Sequence, residues 1–397
     1  MDDLKLEEVL FRNIAEVLPS KDFLISKIKS GQKLRIYHGI DPTAPELHIG
    51  HLAVLKKLQH LQEAGFEVIV LMGGMTATIG DPDKLNVRKQ LTVEEVSKNA
   101  QSIQKQVSKI LKFDGPNPAK ILNNYDWLSK LNFEEVIKIA SNLTHEQLIE
   151  RDMFQERIRK NQPIYLHEFF YPLMQGFDSV AMDVDAEIGG TDQMFNMMIG
   201  RDLLKKMKNK DKFVITVPML TDSKGKKIGK SEGNAIFFAS GNPYDLYSGV
   251  MTLGDDVIVK CFVALSNLGL EEISIIETDL TKNNANPMVY KKLLAFTLVT
   301  ENYSEEEANQ CQTEFEHTVQ NKNFSENQVL DISIAGDSIR ILDFLKENLT
   351  DVSSSEIKKV IEQNGLEVNS QKTNDLNFMI KKGDSVKFGK KIYLRII

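Results

Sequence analysis

Lys33-Leu34-Arg35-Ile36-Tyr37-His38-Gly39, Asp41-Pro42-Thr43-Ala44-Pro45, His48-Ile49-Gly50-His51 and, beyond an apolar helix, Val68-Ile69-Val70-Leu71-Met72 follow one another within a single stretch, and their order decides the fold. Lys33–His38 reads as a short strand ending at Gly39. After the proline-rich loop, Leu52, Leu55, Leu58 and Leu61 recur at helical spacing from about Gly50 to Ala64, and Gly65 supplies the stop. Val68–Met72 is apolar throughout, as expected of a parallel strand covered on both faces. Strand, helix and strand make a βαβ unit, closed by a second glycine-rich turn from Gly73 to Asp81.

Outward from that unit, Thr92 through Phe113 reads as a long amphipathic helix. Thr92 and Glu95 are placed to form a capping box, and Val96, Ala100, Ile103, Val107 and Ile110 form one apolar stripe. Helical material over Asn132–Arg159 separates it from two further strands, Val184–Ile188 and Phe213–Val217, the last ended by Pro218. The spacing predicts an α/β fold: a doubly wound parallel sheet, Rossmann-like, with a helical insertion. Pro243 to about Ser325 is helical and polar-faced, and Asn321–Gln328 reads as a linker. The remainder alternates helices (Ser338–Glu347, Ser354–Gln363) with strands around Leu366–Val368 and Ser385–Arg395, a small α+β domain. The expected domains are 1–235, with the insertion at about 123–165, then 236–325 and 330–397.

With 397 residues, 42% of them hydrophobic, there is material for two or three cores. No stretch approaches the ~20 apolar residues of a membrane helix, and Met1-Asp2-Asp3-Leu4 lacks an apolar signal core, so a cytoplasmic chain is expected. Two cysteines, Cys261 and Cys311, are too few for a disulfide framework or a cysteine-rich metal site. The net charge of -7 argues against DNA or bulk nucleic-acid binding, although Gln371–Ile397 carries seven Lys or Arg against two Asp.

Chemistry concentrates in two stretches. His48 and His51 lie three apart across a helix start, where free N–H groups and the positive dipole end suit phosphate oxygens, and Thr43 can bring a hydroxyl to the same place. Taken alone, such histidines are as readily helix caps. The second stretch, Lys227-Ile228-Gly229-Lys230-Ser231, adds lysines on a glycine-rich loop suited to closing on pyrophosphate. Taken alone, it is a solvated charge run. Together they describe a site for a nucleoside triphosphate. Tyr171, Gln175 and Asp178 fall at i, i+4 and i+7, so one helix face can aim all three into a pocket.

The two stretches resemble the paired signatures of class I aminoacyl-tRNA synthetases: 42–51 is similar to the His-Ile-Gly-His region, and 227–231 to the lysine loop, with Ile228 in place of Met and Gly229 in place of the first Ser. Tyr37–Asp41, Tyr171–Asp178 and Ile188-Gly189-Gly190-Thr191-Asp192-Gln193 further resemble the bacterial tyrosyl-tRNA synthetases, through all of 33–235 and more loosely to the C-terminus. Arg151–Asp178 is most similar to the second bacterial branch, and the C-terminal part resembles a small RNA-binding domain shared with a ribosomal protein. The resemblance implies that Asp178 accepts the phenolic O–H of tyrosine while Tyr37 contacts the same oxygen. It assigns Tyr171, Gln175 and Asp81 to the α-ammonium group and Gln193 to the carboxylate. Asp192 and Gly190 fall at the ATP ribose, with Gly39, Asp41, Gly50 and Ser231 beside the nucleotide; His38 stands where the family usually has Cys. It implies catalysis by His48, His51, Thr43, Lys227 and Lys230, with Mg²⁺ carried by ATP rather than held in a protein metal site. It also implies tyrosine-specific tRNA as partner and a homodimer, for which Trp127, Leu128 and Leu131 are the expected apolar seed, a reading that the sequence does not separate from core. Two enzymes compete: a tryptophan-specific relative would lack the pairing of Tyr37 with Asp178, and small nucleotidyltransferases would be shorter and lack the lysine loop. A catalytically dead RNA-binding relative would not need the intact histidines and lysines.

Overall fold

The computed structural model describes residues 3–80, 91–223, 225–229, 233–239, 241–282, 286–320, 329–334, 336–349, 352, 354–363, 365–369, 371–389 and 392–397. They form two compact units, Met1–Asn309 and Gln310–Ile397.

The first unit is built on six strands: β1 (Glu16–Leu18), β2 (Arg35–Ile40), β3 (Glu67–Met72), β4 (Lys120–Asn123), β5 (Ala186–Gly190) and β6 (Phe213–Val217), in the order β1-β6-β5-β2-β3-β4. Neighbours run parallel except β1, which closes the edge antiparallel to β6. Strand order reverses between β2 and β5, where Tyr37 pairs with Glu187. In open α/β sheets such a switch point leaves a crevice at the carboxyl ends of the strands. The expected strand at Phe213–Val217 is found with those bounds; Val68–Met72 gains one residue at its start, Lys33–His38 and Val184–Ile188 each shift by two, and β1 and β4, of three and four residues, are additions to the expected set.

Helices α1 (Asp3–Phe11), α2 (Lys21–Lys29), α3 (Ile49–Glu63), α4 (Thr76–Ile79) and α5 (Val93–Val107) come before the insertion. α3 buries Leu52, Leu55, Leu58 and Leu61 against the sheet, the stripe expected from their spacing. α5 opens on the expected capping box, Thr92 accepting from Glu95 N–H at 3.2 Å and Glu95 from Thr92 N–H at 2.8 Å. It ends at Val107 rather than Phe113: Ser108 takes the C-cap and bonds back to Gln104, so Ile110 and Leu111 are buried from a turn. The insertion likewise breaks into short pieces, α6 (Tyr125–Leu128), α7 (Phe133–Ala140), α8 (His145–Ile149) and α9 (Asp152–Arg159), because Asn132/Glu135 and Thr144/Gln147 each start a new helix with a capping box. α10 (Phe170–Met182) and α11 (Met194–Lys208) return to the sheet and pack closely. A Cβ at Gly176 would meet Leu203 at 2.8 Å and Ile199 at 2.9 Å, so the close approach needs glycine.

α12 (Pro243–Met251), α13 (Ile258–Leu265), α14 (Leu270–Thr281) and α15 (Pro287–Asn302) follow in the same unit, before α16 (Glu305–Phe315). Buried polar groups on α3 tie them to it. Lys56 pairs with Glu301 at 2.6 Å, and Lys57 donates to the carbonyls of Val9 and Arg12 at 2.7 and 2.9 Å. Arg12 in turn donates to the Phe262, Ser266 and Leu268 carbonyls around the end of α13.

The second unit is α+β. One sheet runs β10-β9-β12-β13-β7, from β7 (Val329–Ile332), β9 (Leu366–Val368), β10 (Gln371–Lys372), β12 (Ser385–Phe388) and β13 (Ile392–Ile396); β8 (Ser338–Arg340) and β11 (Met379–Lys381) form a second. α17 (Ile341–Asn348) and α18 (Ser354–Glu362) pack Phe344, Leu345, Ile357 and Ile361 against Leu366, Val386 and Leu394. One expectation is corrected. Ser338–Arg340 is a strand and not the start of a helix, because it pairs with β11 and the Ile341 N–H bonds the Phe378 carbonyl. The short strands expected within Ser385–Arg395 are β12 and β13, which pair antiparallel.

Candidate active site

One cavity of about 310 Å³ opens at the switch point, and both signature stretches line it: Thr43, His48, Gly50 and His51 from the first, Lys227 and Gly229 from the second. Backbone holds them together, since the Ile49 N–H bonds the Ile236 carbonyl at 2.9 Å and His48 bridges Phe237. His48 is the N-cap of α3. Its Nδ1 accepts the Gly50 N–H at 3.1 Å, and His51 Nδ1 accepts the His48 N–H at 3.2 Å. Cap and ligand are therefore compatible roles: capping engages Nδ1, while the Nε2 edge of His48 faces Gly229, where a Cβ would stand 3.7 Å away. The loop before α3 is fixed from α5. Gln106 donates to the Pro45 carbonyl at 2.7 Å and accepts the Leu47 N–H at 2.9 Å, and Asn99 donates to the Pro42 carbonyl at 3.0 Å.

Opposite, Lys227 Nζ pairs with Asp192 at 2.6 Å. A Cβ at Gly190 would meet that Asp192 carboxylate at 2.4 Å, whereas one at Gly39 would meet nothing within 4 Å, so the end of β2 is open to a ligand. His38 is buried, which lowers its pKa, and its Nδ1 bonds the Ile188 carbonyl at 2.9 Å. A neutral ring donating from Nδ1 presents Nε2 as an acceptor, and that atom has no partner among the described residues.

The other end of the cavity is a closed network of side chains. Tyr171, Gln175 and Asp178 on α10 all line it, with Tyr37. Tyr171 donates to Asp41 at 2.9 Å, and Asp41 also accepts from Thr76 at 2.7 Å. A Cβ at Gly73 would fall 1.9 Å from the same Asp41 oxygen, so only glycine fits there. Asp178, 2% exposed, accepts from Trp127 Nε1 at 2.8 Å and from Asn124 Nδ2 at 3.1 Å. Burial pushes its pKa well above the ordinary aspartate value; those two donors oppose the rise, and the charges of Glu187 and Asp41 add to it. Tyr37 is fully buried with its hydroxyl 3.0 Å from Ser179 Oγ; burial, then Glu187 and Asp178, raise its pKa far enough to keep the phenol protonated. Gln193 accepts from Asn196 at 3.0 Å at the rim.

Residues 29–320 match the family described as tRNA synthetases class I (W and Y). The chain belongs to this family. The tyrosine–tRNA ligase of Carboxydothermus hydrogenoformans is 38% identical over 411 aligned residues, covering 100% of this chain and 99% of that relative. That of Aquifex aeolicus is 36% identical, over 98% and 97% of the two chains. The crystal structure of tyrosyl-tRNA synthetase complexed with L-tyrosine from Archaeoglobus fulgidus shares the fold, with a TM-score of 0.62 at 24% identity over 78% of this chain and 99% of that one.

In this class I synthetase most of the anticipated side chains meet at one cavity. Asp81, Lys230 and Ser231 lie outside the described residues. Trp127, Leu128 and Leu131 are corrected. Trp127 packs against Tyr37, Ile69 and Leu71 and donates to Asp178, Leu128 is buried, and Leu131 joins the core beside α10 and α11. An indole N–H turns inward when a buried acceptor is there to take it. Sequence reasoning did not find Asn124, Thr76, Ser179, Gln106, Glu187 or Lys212. Only the last two left a trace: charged residues inside or beside apolar strand runs, which are buried only when paired.

Proposed function

We propose that this synthetase is a tyrosine–tRNA ligase: it activates L-tyrosine with ATP and passes the tyrosyl group to the 3′ end of its tRNA. Asp178 carries the reading. Its buried carboxylate sits beside Tyr37, held by two N–H donors, at the end of the cavity remote from the histidines. An acceptor so placed recognises a phenolic O–H and is left unpaired by phenylalanine; it offers nothing particular to an indole ring. Tyr171, Gln175 and Asp81 take the α-ammonium group, and Gln193 the carboxylate. ATP lies over Gly39, Asp41, Gly50 and Gly190, with Asp192 at its ribose and Ser231 beside the lysines.

In the first step a carboxylate oxygen of tyrosine attacks the α-phosphorus, the bond to the β-phosphate breaks and pyrophosphate leaves. The carboxylate is already ionised, so no general base is required. Catalysis rests on alignment and on charge stabilisation at the leaving phosphates by His48, His51, Thr43, Lys227 and Lys230, with Mg²⁺ arriving on ATP. In the second step a hydroxyl of the terminal adenosine of tRNA attacks the tyrosyl carbonyl and AMP leaves. Lys227 pairs with Asp192 at 2.6 Å, and nucleotide binding exchanges that partner for phosphate.

Residues 1–235 form the catalytic domain in this reading, 236–325 an anticodon-side domain and 330–397 an RNA-binding domain for which Lys381, Lys382 and Lys387 are the candidate phosphate contacts; Lys390 and Lys391, expected with them, lie outside the described residues. The protein works in the cytoplasm, where tRNA and ATP are found, as a homodimer joined near 123–165. Exposed Phe133 and Ile137 on α7 support that placement, along with exposed Leu166; sedimentation of Phe133→Asp as a dimer would overturn it. ATP–pyrophosphate exchange across the full set of amino acids tests the function. Tyrosine alone should support exchange; exchange with tryptophan, or with none, would end the reading.

A further inference from the structure

Beneath the amino-acid end of the cavity lies a group that touches no expected ligand. Lys212, just before β6, is fully buried. Its ammonium pairs with Glu187 on β5 and donates to Ser179 Oγ on α10 at 2.8 Å. Gly200 on α11 makes the room, since a Cβ there would stand 2.6 Å from Nζ and 2.8 Å from Ser179 Oγ.

Both bonds continue to the cavity wall. Ser179 Oγ lies 3.0 Å from the Tyr37 hydroxyl, and the second oxygen of Glu187 accepts Gln175 Nε2 at 3.1 Å. An ammonium can only donate. Ser179 therefore accepts from Lys212; its bond to Tyr37 can run either way, and the Tyr37 hydroxyl also interacts with the Glu187 carboxylate. Ion-paired Glu187 can only accept. It therefore holds the NH₂ side of the Gln175 amide and turns the carbonyl the other way. That carbonyl oxygen is buried and without a partner among the described residues, on a side chain that lines the cavity.

We propose that Lys212, acting through Glu187, is a positioning residue that fixes the orientation of the Gln175 amide, with its carbonyl an acceptor toward the α-ammonium group. The inference rests on the tyrosine reading. With Lys212 present, Glu187 stays an ion-paired acceptor and takes the Gln175 NH₂ group. Without it, the Gln175 amide can reverse and turn its NH₂ toward the α-ammonium group.

The test is ATP–pyrophosphate exchange by the full chain with tyrosine and with phenylalanine. Lys212→Met is compared with Lys212→Met/Glu187→Gln, which removes both buried charges and so keeps the fold if the single variant does not, and with Ser179→Ala. The Lys212 variants that fold by thermal unfolding should raise KM for tyrosine about tenfold, the scale of one buried hydrogen bond, and raise KM for phenylalanine with it, because both carry the α-ammonium group. KM for ATP and kcat with tyrosine should stay near wild type, as should KM for tyrosine in Ser179→Ala, which leaves Lys212, Glu187 and Gln175 in place. A wild-type KM for tyrosine in the double variant, or an equal rise in Ser179→Ala, would overturn the inference and make Lys212 a structural cation only. Failure of the tyrosine reading itself shows separately, as absence of tyrosine-dependent exchange in the wild-type chain.

Discussion

Lys227 and Asp192 pair at 2.6 Å with 41% and 35% of their side chains exposed, whereas Lys212 and Glu187 pair with 0% and 3% exposed, at the opposite end of the same cavity. Solvent screens the first pair, so either partner can leave it at little cost. That suits a place where the charge of a triphosphate has to arrive and depart. The second pair has no water to fall back on, and removing one partner strands a buried charge. That suits a place where direction must be held while small substrates are told apart. The same two functional groups thus pair in water at one end and sealed from it at the other, and burial alone separates the two pairs.

The contrast breaks most directly in stability. Lys212→Met, with Glu187 left unpaired, should cost about 3–5 kcal/mol, and Lys227→Met no more than about 1 kcal/mol, by urea unfolding. Equal losses would erase the distinction. Next in size, Asp178→Ala should lower the preference for tyrosine over phenylalanine about a hundredfold in exchange assays, the upper range for a buried polar group left unpaired; an unchanged ratio would remove Asp178 from the phenol site.

The pH dependence sharpens the same point. Asp178 has its pKa raised above 3.8, so the preference for tyrosine should fall with decreasing pH, and at a higher pH than an exposed aspartate would give. The sign for stability is opposite. Folded Asp178 keeps its proton where the unfolded chain has lost it, so its contribution declines as pH rises from 3.8 through the folded value. Lys57 offers a third environment, an ammonium held by backbone carbonyls. Burial, with the Arg12 charge, lowers its pKa from 10.5 to about 7. Between those values the unfolded chain binds more protons, so stability should rise with pH, and Lys57→Met should remove that rise in unfolding series at pH 7 and pH 10.

Legibility followed the range of the interaction. The nucleotide end is made of contiguous stretches, and 42–51 and 227–231 carry it in their own residue order. The capping box of Thr92 and Glu95 and the leucine stripe of α3 were equally readable, because each lies within a few turns of one helix. The anticipated Tyr171, Gln175 and Asp178 come from one helix face, which periodicity exposes. What holds them does not: Asn124 and Trp127 reach Asp178 from 54 and 51 residues away, and Gln106 reaches Pro45 from 61. Trp127 shows the cost of reading locally. Its run fits an interface seed and a core segment equally, and the choice falls to core because its N–H finds a carboxylate that only the folded sheet brings near.

The amino-acid chain by itself determined the βαβ start, the class of chemistry and the helix face that lines the pocket, because those depend on spacing within a few turns. Only the tertiary structure decided which lysine is buried, which is exposed and which partner each polar group in the pocket finds. Those follow from how far water is excluded by elements distant in the chain, and no local pattern of residues encodes that.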